Sequence, residues 1–502
     1  MRNVLEYLEY NAAVHADKIA ASDYDVAVTY AELCKRAKTI GSSVSKLGVK
    51  NRAVSLFMEK NVNMLSAMLG VVYSGNFYSV VDLEMPNDRK NKIFETLKPA
   101  ALITDKEHLE KAKEIDFNGE IILVEDALKN AVDEEKLSVI RKGQIDTDPL
   151  YANFTSGSTG VPKGIVVCHR SVIDFIDVFT KTFDINENDI IANQAPFDFD
   201  VSVKDIYSAL KTGAHLVVVP RRLFSAPVEL IDFLCDKKVT VMTWAVSALC
   251  LISTLHGLDY KTPETVRKIL FSGEVMPYKH LLNWQSHLPS ATLVNLYGPT
   301  EITCNCTYHI LEKDRDYSAG IPIGKAFENE DVFLLDEKNQ IVTEVGKAGE
   351  ICVRGTALAL GYFAAQEQTA KSFVQNPLNS NYPEVIYRTG DLAVYNENGE
   401  LVFSGRKDFQ IKYMGHRIEL EEIEHAMASI DGVERCVCVF DEKKSKLKGF
   451  YVGTIEKAEL VSIMRNTLPV FMVPNMVRQI DEMPLTKNGK VDRKMLQEMG
   501  RR

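Results

Sequence analysis

A chain of 502 residues is longer than one hydrophobic core usually accommodates, so two or more domains are expected. Its 46% hydrophobic and 25% charged residues exclude extensive disorder, and a formal net charge of −10 argues against a nucleic-acid-binding surface. Nowhere do about 18 apolar residues run together, which excludes an apolar membrane-spanning helix, and acidic residues inside the N-terminal apolar pattern make it a poor secretion signal.

In chain order, the first ~150 residues alternate between helical and strand-like spacing. Tyr30–Leu47 is amphipathic at helical period, and Ala53–Met58 is a short apolar run suited to a buried strand. Helix is expected over Asn63–Tyr73 and Asp88–Leu97, and strand over Phe77–Val81 and Ala100–Thr104. Such alternation implies parallel sheets covered by helices. It resumes after residue 164 and continues to about 275. From about 319 to 405 the runs become short and β-type, at Asp331–Leu335, Gly349–Val353, Leu392–Tyr395 and Leu401–Phe403. Turn residues separate them, as in a β-barrel or small antiparallel sheet. Beyond the polar segment Gly405–Asp408, a separate α/β pattern has helix at Glu419–Ser429 and Lys457–Thr467 and strand at Cys436–Phe440 and Gly449–Val452. The expected fold is therefore α/β: a large N-terminal domain of stacked α/β sheets with a β-barrel-like subdomain (1–405) and a small, mobile α+β C-terminal domain (406–502).

The nine cysteines are read as reduced thiols of a cytoplasmic protein. The C-x-C pairs Cys304/Cys306 and Cys436/Cys438 have no matching second pair to complete a zinc set, and alternating strand positions account for both.

The densest chemical signal is Thr155-Ser-Gly-Ser-Thr-Gly-Val-Pro-Lys-Gly164. Glycines at 157, 160 and 164 let backbone N–H groups converge on anionic oxygens. Ser156, Ser158 and Thr159 add hydroxyl donors and Lys163 adds a positive charge. The loop is not a P-loop of the G-x-x-x-x-G-K-[ST] type, because Gly164 follows Lys163. Asn295-Leu-Tyr-Gly-Pro-Thr-Glu301 follows the apolar run Ala291–Val294, at what would be the C-terminal edge of a buried strand. There a Tyr can stack on a purine, an Asn can read its amino edge and a Glu can hold Mg²⁺ through hard oxygens. Tyr387-Arg-Thr-Gly-Asp391 sets a carboxylate after a glycine turn, suited to two ribose hydroxyls. Gly405–Lys412 sits at the expected domain boundary, where hinge residues absorb rotation. Pro484–Arg493 ends the chain with Lys490 on a Lys-Asn-Gly turn.

In this order and at these separations the motifs resemble the adenylate-forming superfamily of acyl-CoA synthetases, luciferases and peptide-synthetase adenylation domains, over essentially the whole chain. The resemblance implies an ATP- and Mg²⁺-dependent ligase that activates a carboxylic acid as an acyl-AMP. By that resemblance Thr155, Ser156, Gly157, Ser158, Thr159, Gly160 and Lys163 embrace the triphosphate. Asn295 contacts adenine, Tyr297 stacks on it, and Glu301 binds Mg²⁺. Asp391 holds the ribose with Arg406, and Gly273, Gly298 and Thr300 complete the nucleotide's surroundings. Lys490 bridges substrate carboxylate and phosphate oxygens, a role that fits the need for a cation where one anion attacks another. Thr155, Lys163, Arg406 and Lys490 are thus the implied catalytic set. Asp408 matches the hinge, about which the small domain swings to withdraw Lys490 and present Gly415 for transfer to a thiol.

The segment Asn193–Tyr207 resembles the amino-acid-activating branch, in which the position of Asp200 pairs with the substrate's α-ammonium. A fatty or aryl acid would leave that carboxylate unpaired. The segment Asn193–Phe197, the run Asp408–Lys412 and the non-Arg residue Met414 are most similar to the D-alanine–D-alanyl carrier protein ligases. These load D-alanine onto the phosphopantetheine thiol of a small acidic carrier protein, and no condensation or carrier motif is visible beside the adenylating unit. Two residues depart from that pattern. Ser272 stands where those ligases have Cys, and Lys204 where they have an apolar residue. The expected pocket (Asp200, Val201, Lys204, Thr243, Leu270, Ser272, Leu296, Cys304 and Asn305) is small and partly polar. It suits alanine, serine, cysteine or a short acidic amino acid. The expectation is a monomeric D-alanine–carrier protein ligase. The alternatives are an adenylation enzyme for another small polar or acidic amino acid, an acyl-CoA synthetase, and a catalytically silent nucleotide-binding protein.

Overall fold

The computed structural model describes residues 1–157, 160–441, 444–485 and 491–499. Among these residues the strands form three large sheets and two small ones. The first large sheet has seven strands, with Phe77–Val80, Ala53–Phe57 and Ala101–Thr104 parallel at its centre. Every residue of those three strands is buried, which is why they read as continuous apolar runs and not as alternating ones. The helix Tyr30–Val44 begins at a capping box, in which Glu32 N–H donates to Thr29 Oγ1 at 3.2 Å and Thr29 N–H to Glu32 Oε2 at 2.8 Å.

The second sheet has nine strands, and Ile190–Asn193, Val241–Ala245, Lys268–Ser272 and Thr292–Tyr297 run parallel within it. One hydrophobic core joins the two sheets, with Val54, Leu56 and Tyr78 from the first and Val241, Leu270 and Val294 from the second. The third sheet is antiparallel and is built on Glu330–Leu335, Gly349–Gly355, Val385–Tyr395 and Leu401–Arg406. Its strands run longer than their apolar stretches suggested, and Val385–Tyr395 carries the Arg-Thr-Gly-Asp turn residues within it. Pairing continues through Arg406, opposite Asp391, so the chain leaves this sheet one residue beyond the expected 405 boundary.

The smaller C-terminal domain opens with the hairpin Gln410–Tyr413 and His416–Glu419. Its turn residues Met414 and Gly415 both have positive φ (53° and 80°), as a two-residue hairpin turn of matching twist requires. The helix Leu420–Ala428 and the three-stranded sheet of Val433–Asp441, Lys446–Gly453 and Met476–Gln479 enclose a separate core around Ile423, Met427, Tyr451 and Met464.

Cys436 and Cys438 do occupy alternate positions of a strand, but Cys304 and Cys306 do not. Thr303 and Cys304 take positive φ (50° and 87°) in a tight reversal between the 3-10 turn Thr300–Ile302 and the strand Thr307–Ile310. Cys306 N–H closes it by donating to Tyr297 O at 2.9 Å. All nine cysteines are free thiols.

Candidate active site

The parallel strands of the nine-stranded sheet end at Asn193, Ala245, Ser272 and Tyr297, the edge at which open α/β sheets bind ligands. A cavity lies there between the two domains. Thr155, Ser156, Asp200, Gly273, Thr300, Asp391 and Arg406 line it from the larger domain, and Gln410, Lys412 and Arg417 from the smaller.

The glycine-rich segment is a hairpin connection. Pro149–Thr155 pairs antiparallel with Lys163–Cys168, placing Thr155 opposite Lys163. A Cβ on Gly157 would meet Val161 O at 2.1 Å, and Gly160 has φ 76°, so both positions demand glycine. The C-terminal domain is fastened to this loop. Ser156 Oγ donates to Arg417 O at 2.7 Å and accepts from Glu419 N–H at 3.2 Å, while Gly157 N–H donates to Glu422 Oε2 at 3.1 Å. Glu422 is itself ion-paired with Arg89 of the larger domain. Lys163 Nζ stands 3.9 Å from Glu419. Gly157, Gly160 and Lys163 do not line the cavity in this arrangement. Ser158, Thr159 and Lys490 lie outside the described residues.

Glu301 follows the strand Thr292–Tyr297 by way of Gly298, where a Cβ would stand 2.5 Å from Asn305 Cα. It is 1% exposed and accepts from Tyr362 Oη at 2.8 Å and from Arg417 Nη1 at 2.7 Å. Burial would raise its pKa, but Arg417 and the Tyr362 hydroxyl hold it below the ordinary glutamate value.

Asp391 and Arg406 face each other across paired strands and form a buried ion pair. Tyr297 Oη donates to Asp391 Oδ2 at 2.5 Å, and Arg406 also grips Asp408 at 2.6 and 2.7 Å. The expected hinge residue is thus tied to the expected ribose carboxylate through one guanidinium. Asn295 and Tyr297, expected to meet adenine, are not on the cavity wall here. The Asn295 amide donates to Pro322 O at 2.9 Å, and Lys412 Nζ lies 5.7 Å over the Tyr297 ring. The hairpin therefore occupies the ring face on which a purine would stack.

Asp200 and Lys204 begin one helix, Val201–Thr212, with the i, i+4 spacing that puts both on one face. Asp200, Val201, Ser272, Cys304 and Asn305 line the cavity, whereas Lys204, Thr243, Leu270 and Leu296, expected on its wall, are buried and do not line it. Burial raises the Asp200 pKa above the ordinary aspartate value, moderated by the Thr300 hydroxyl and Lys204. Lys204 is fully buried at 0% exposure, and its Nζ donates to Asn305 Oδ1 at 2.7 Å and to Ser272 Oγ at 3.4 Å.

Residues 8–363 match the AMP-binding enzyme family model and residues 422–490 match the AMP-binding enzyme C-terminal domain. The chain belongs to the AMP-binding enzyme family. It is similar to zwittermicin A synthase ZmaJ of Bacillus cereus, 31% identical over 498 residues that cover 96% of this chain and 92% of that protein. It is also 32% identical over 502 residues to surfactin synthase subunit 1 of Bacillus subtilis, covering 99% of this chain but only 14% of the much longer relative. In fold it matches an NRPS protein containing adenylation and PCP domains bound to a vinylsulfonamide inhibitor. The TM-score is 0.83 at 24% identity, covering 99% of this chain and 84% of that one. The AMP-binding fold accounts for the large and small domains seen here, and membership in the adenylate-forming superfamily makes the chain a ligase by family.

The chemistry of this AMP-binding enzyme fits Mg²⁺ at Glu301, a buried hard-oxygen donor whose carboxylate is held here by Arg417 and Tyr362. Mg²⁺ is commonly held by one or two carboxylates plus substrate phosphates. When bound, it neutralises phosphate charge.

Several residues at the site had no signal in the sequence. Arg89, Arg417, Glu419 and Glu422 join the domains through partners far away in the chain, and a lone charge in a helix or hairpin reads as solvated surface. Lys60 is similar: its Nζ donates to the carbonyls of Asn193, Gln194 and Ala195 at 3.2, 2.9 and 3.3 Å, beneath the segment leading to Asp200. Glu274 accepts from the backbone at Gly415 and so holds the tip of the hairpin.

Proposed function

We propose that this enzyme activates a small amino acid with ATP as its aminoacyl-AMP and passes the aminoacyl group to the phosphopantetheine thiol of a carrier protein. The observation that carries this reading is the position of Asp200. Its carboxylate stands on the wall of the cavity that also contains Thr155, Ser156 and Asp391, and among the described residues no cation lies within 4.0 Å of it. A half-buried carboxylate in want of a cation suits an α-ammonium and penalises a fatty or aryl acid.

In this reading Thr155, Ser156, Gly157, Ser158, Thr159, Gly160 and Lys163 hold the phosphates, with Mg²⁺ at Glu301. Asp391 with Arg406 holds the ribose, Asn295 and Tyr297 take adenine once Lys412 has moved, and Gly273, Gly298 and Thr300 flank the nucleotide. Lys490 serves the first half-reaction, in which a carboxylate oxygen attacks the α-phosphorus and pyrophosphate leaves. The arrangement seen here, with the 410–419 hairpin in the cavity, belongs to the second, in which the thiol attacks the acyl carbon and AMP leaves. Asp408 is the pivot between the larger unit, whose sheet runs through Arg406, and the smaller unit that follows. The names of the relatives support the reading: a zwittermicin A synthase, a surfactin synthase subunit, and an NRPS protein containing adenylation and PCP domains. A small acidic carrier, a monomeric enzyme and a cytoplasmic setting complete it; among the described residues no helix is long and apolar enough to cross a membrane.

D-alanine is the amino acid favoured by the resemblance, while the buried ammonium of Lys204 favours a polar or acidic side chain. Amino-acid-dependent exchange of labelled pyrophosphate into ATP, run over a panel of D- and L-amino acids, tests the reading. Exchange with fatty or aryl acids alone refutes it.

A further inference from the structure

We infer that the amino acid activated here carries a side-chain carboxylate, and that the ammonium of Lys204 receives it; this rests on the amino-acid reading of the cavity given above. Lys204 is fully buried, and its Nζ ends between Asn305 Oδ1 at 2.7 Å and Ser272 Oγ at 3.4 Å, two residues of the cavity wall. Both partners are neutral. With the Cys304 thiol, which also contacts the ammonium, they engage its N–H donors but leave the charge uncompensated. Among the described residues no carboxylate oxygen lies within 4.0 Å of that ammonium. A buried charge without an ion partner is among the costliest features a folded protein can keep, and such charges are normally paired.

The nearest rival counter-ion along the chain is Asp205. Its Oδ2 accepts from Asn193 Nδ2 at 2.9 Å, and burial pushes its pKa up to about 7, which makes it a weak anion for Lys204. Asp200 is the other nearby carboxylate. With the cavity empty, Asp200 and Lys204 balance each other at longer range, one helical turn apart. Binding changes this balance. In the aminoacyl-AMP the α-carboxylate has lost its charge, and the α-ammonium neutralises Asp200. A methyl, hydroxyl or thiol side chain would then leave Lys204 as an uncompensated positive charge behind the cavity wall. A side-chain carboxylate returns the pocket to neutrality and supplies the missing ion pair.

Asp200 and Lys204 stand one helical turn apart, so the groups expected to meet the α-ammonium and the side-chain carboxylate come from one face of one helix. Val201, Ser272, Cys304 and Asn305 close the same part of the cavity. The ligand class is a short acidic α-amino acid, with aspartate as the first probe.

The test is pyrophosphate exchange by the purified protein with L- and D-aspartate and L- and D-glutamate, beside serine, cysteine and L- and D-alanine. The expected result is a kcat/KM for one acidic amino acid at least tenfold above every neutral one. Lys204→Met should collapse that acid-over-neutral ratio by at least tenfold while the KM for ATP stays within threefold. Preference for a neutral amino acid, D-alanine included, overturns the inference and leaves the amino-acid reading intact. Exchange with no amino acid overturns both. If Lys204→Met does not fold, Lys204→Gln decides. It keeps a donor to Asn305 and removes the charge, so loss of acid preference supports the ion pair, and retained preference shows Lys204 to be only a support for Asn305.

Discussion

Arg417 of the C-terminal domain donates from Nη1 to Glu301 Oε2 of the larger domain at 2.7 Å, while Tyr362 Oη occupies the other oxygen at 2.8 Å. Glu301 is 1% exposed, so this ion pair lies inside the protein and joins the two domains. Removing one partner of a buried pair typically costs about 3–5 kcal/mol. Arg417→Ala is therefore expected to depopulate this orientation. Single-turnover transfer from preformed aminoacyl-adenylate to a pantetheine thiol should fall at least tenfold further than pyrophosphate exchange does. Equal losses in both would show that the pair does not govern the domain orientation.

Glu422 acts as a second latch, accepting from Gly157 N–H at 3.1 Å and pairing with Arg89. Glu422→Ala leaves a buried guanidinium and an unmet amide, a penalty of about 3–5 kcal/mol for the broken buried pair. The link at residues 407–409 should then be cut several-fold faster in limited proteolysis. An unchanged cleavage rate would mean that the hairpin holds the domains without it.

The pH dependence of amino-acid binding follows from Asp200. Burial raises its pKa above the ordinary aspartate value, so as pH falls it takes up a proton earlier than a free carboxyl would. Only the anion pairs with an α-ammonium. The KM for the amino acid should rise about tenfold per pH unit once the pH is below that raised value, while the KM for ATP stays within threefold. In Asp200→Asn the amino-acid KM should be high and flat across the same range; a surviving pH slope would move the titrating group elsewhere.

Glu330 supplies a stability effect remote from the chemistry. Its carboxyl pKa is pushed up to about 8, first by burial and then by Asp174, against a partly offsetting bond from Ala357 N–H. A carboxyl whose folded-state value is raised binds its proton more tightly when folded. Its contribution to stability is full below the unfolded value near 4.5 and is lost as pH rises towards 8. Glu330→Gln should therefore lessen the fall in Tm between pH 5 and pH 8 by about 2–4 °C, measured by calorimetry. An unaltered fall would place that pH dependence in other groups.

Much of this protein is legible without coordinates. The parallel strands were readable because burial on both faces makes them unbroken apolar runs, and the helix Lys457–Thr467 because its apolar spacing is local. The glycine-rich loop was equally plain, since Gly157 and Gly160 answer constraints set within a few residues. Cys304 and Cys306 misled because spacing two apart is compatible with a strand, whereas positive φ at Thr303 and Cys304 turns the chain there.

The amino-acid order alone therefore determined the succession of elements and the family of reaction, since both are written in local periodicity and contiguous motifs. The tertiary structure decided which charges meet. Lys204 could point to solvent or to the cavity until the strand ending at Ser272 and the reversal at Asn305 closed around it. Arg417 could be a surface residue until the small domain brought it against Glu301, 116 positions away in the chain. Such pairs depend on packing between distant segments, and no local pattern records which of them burial will bring together.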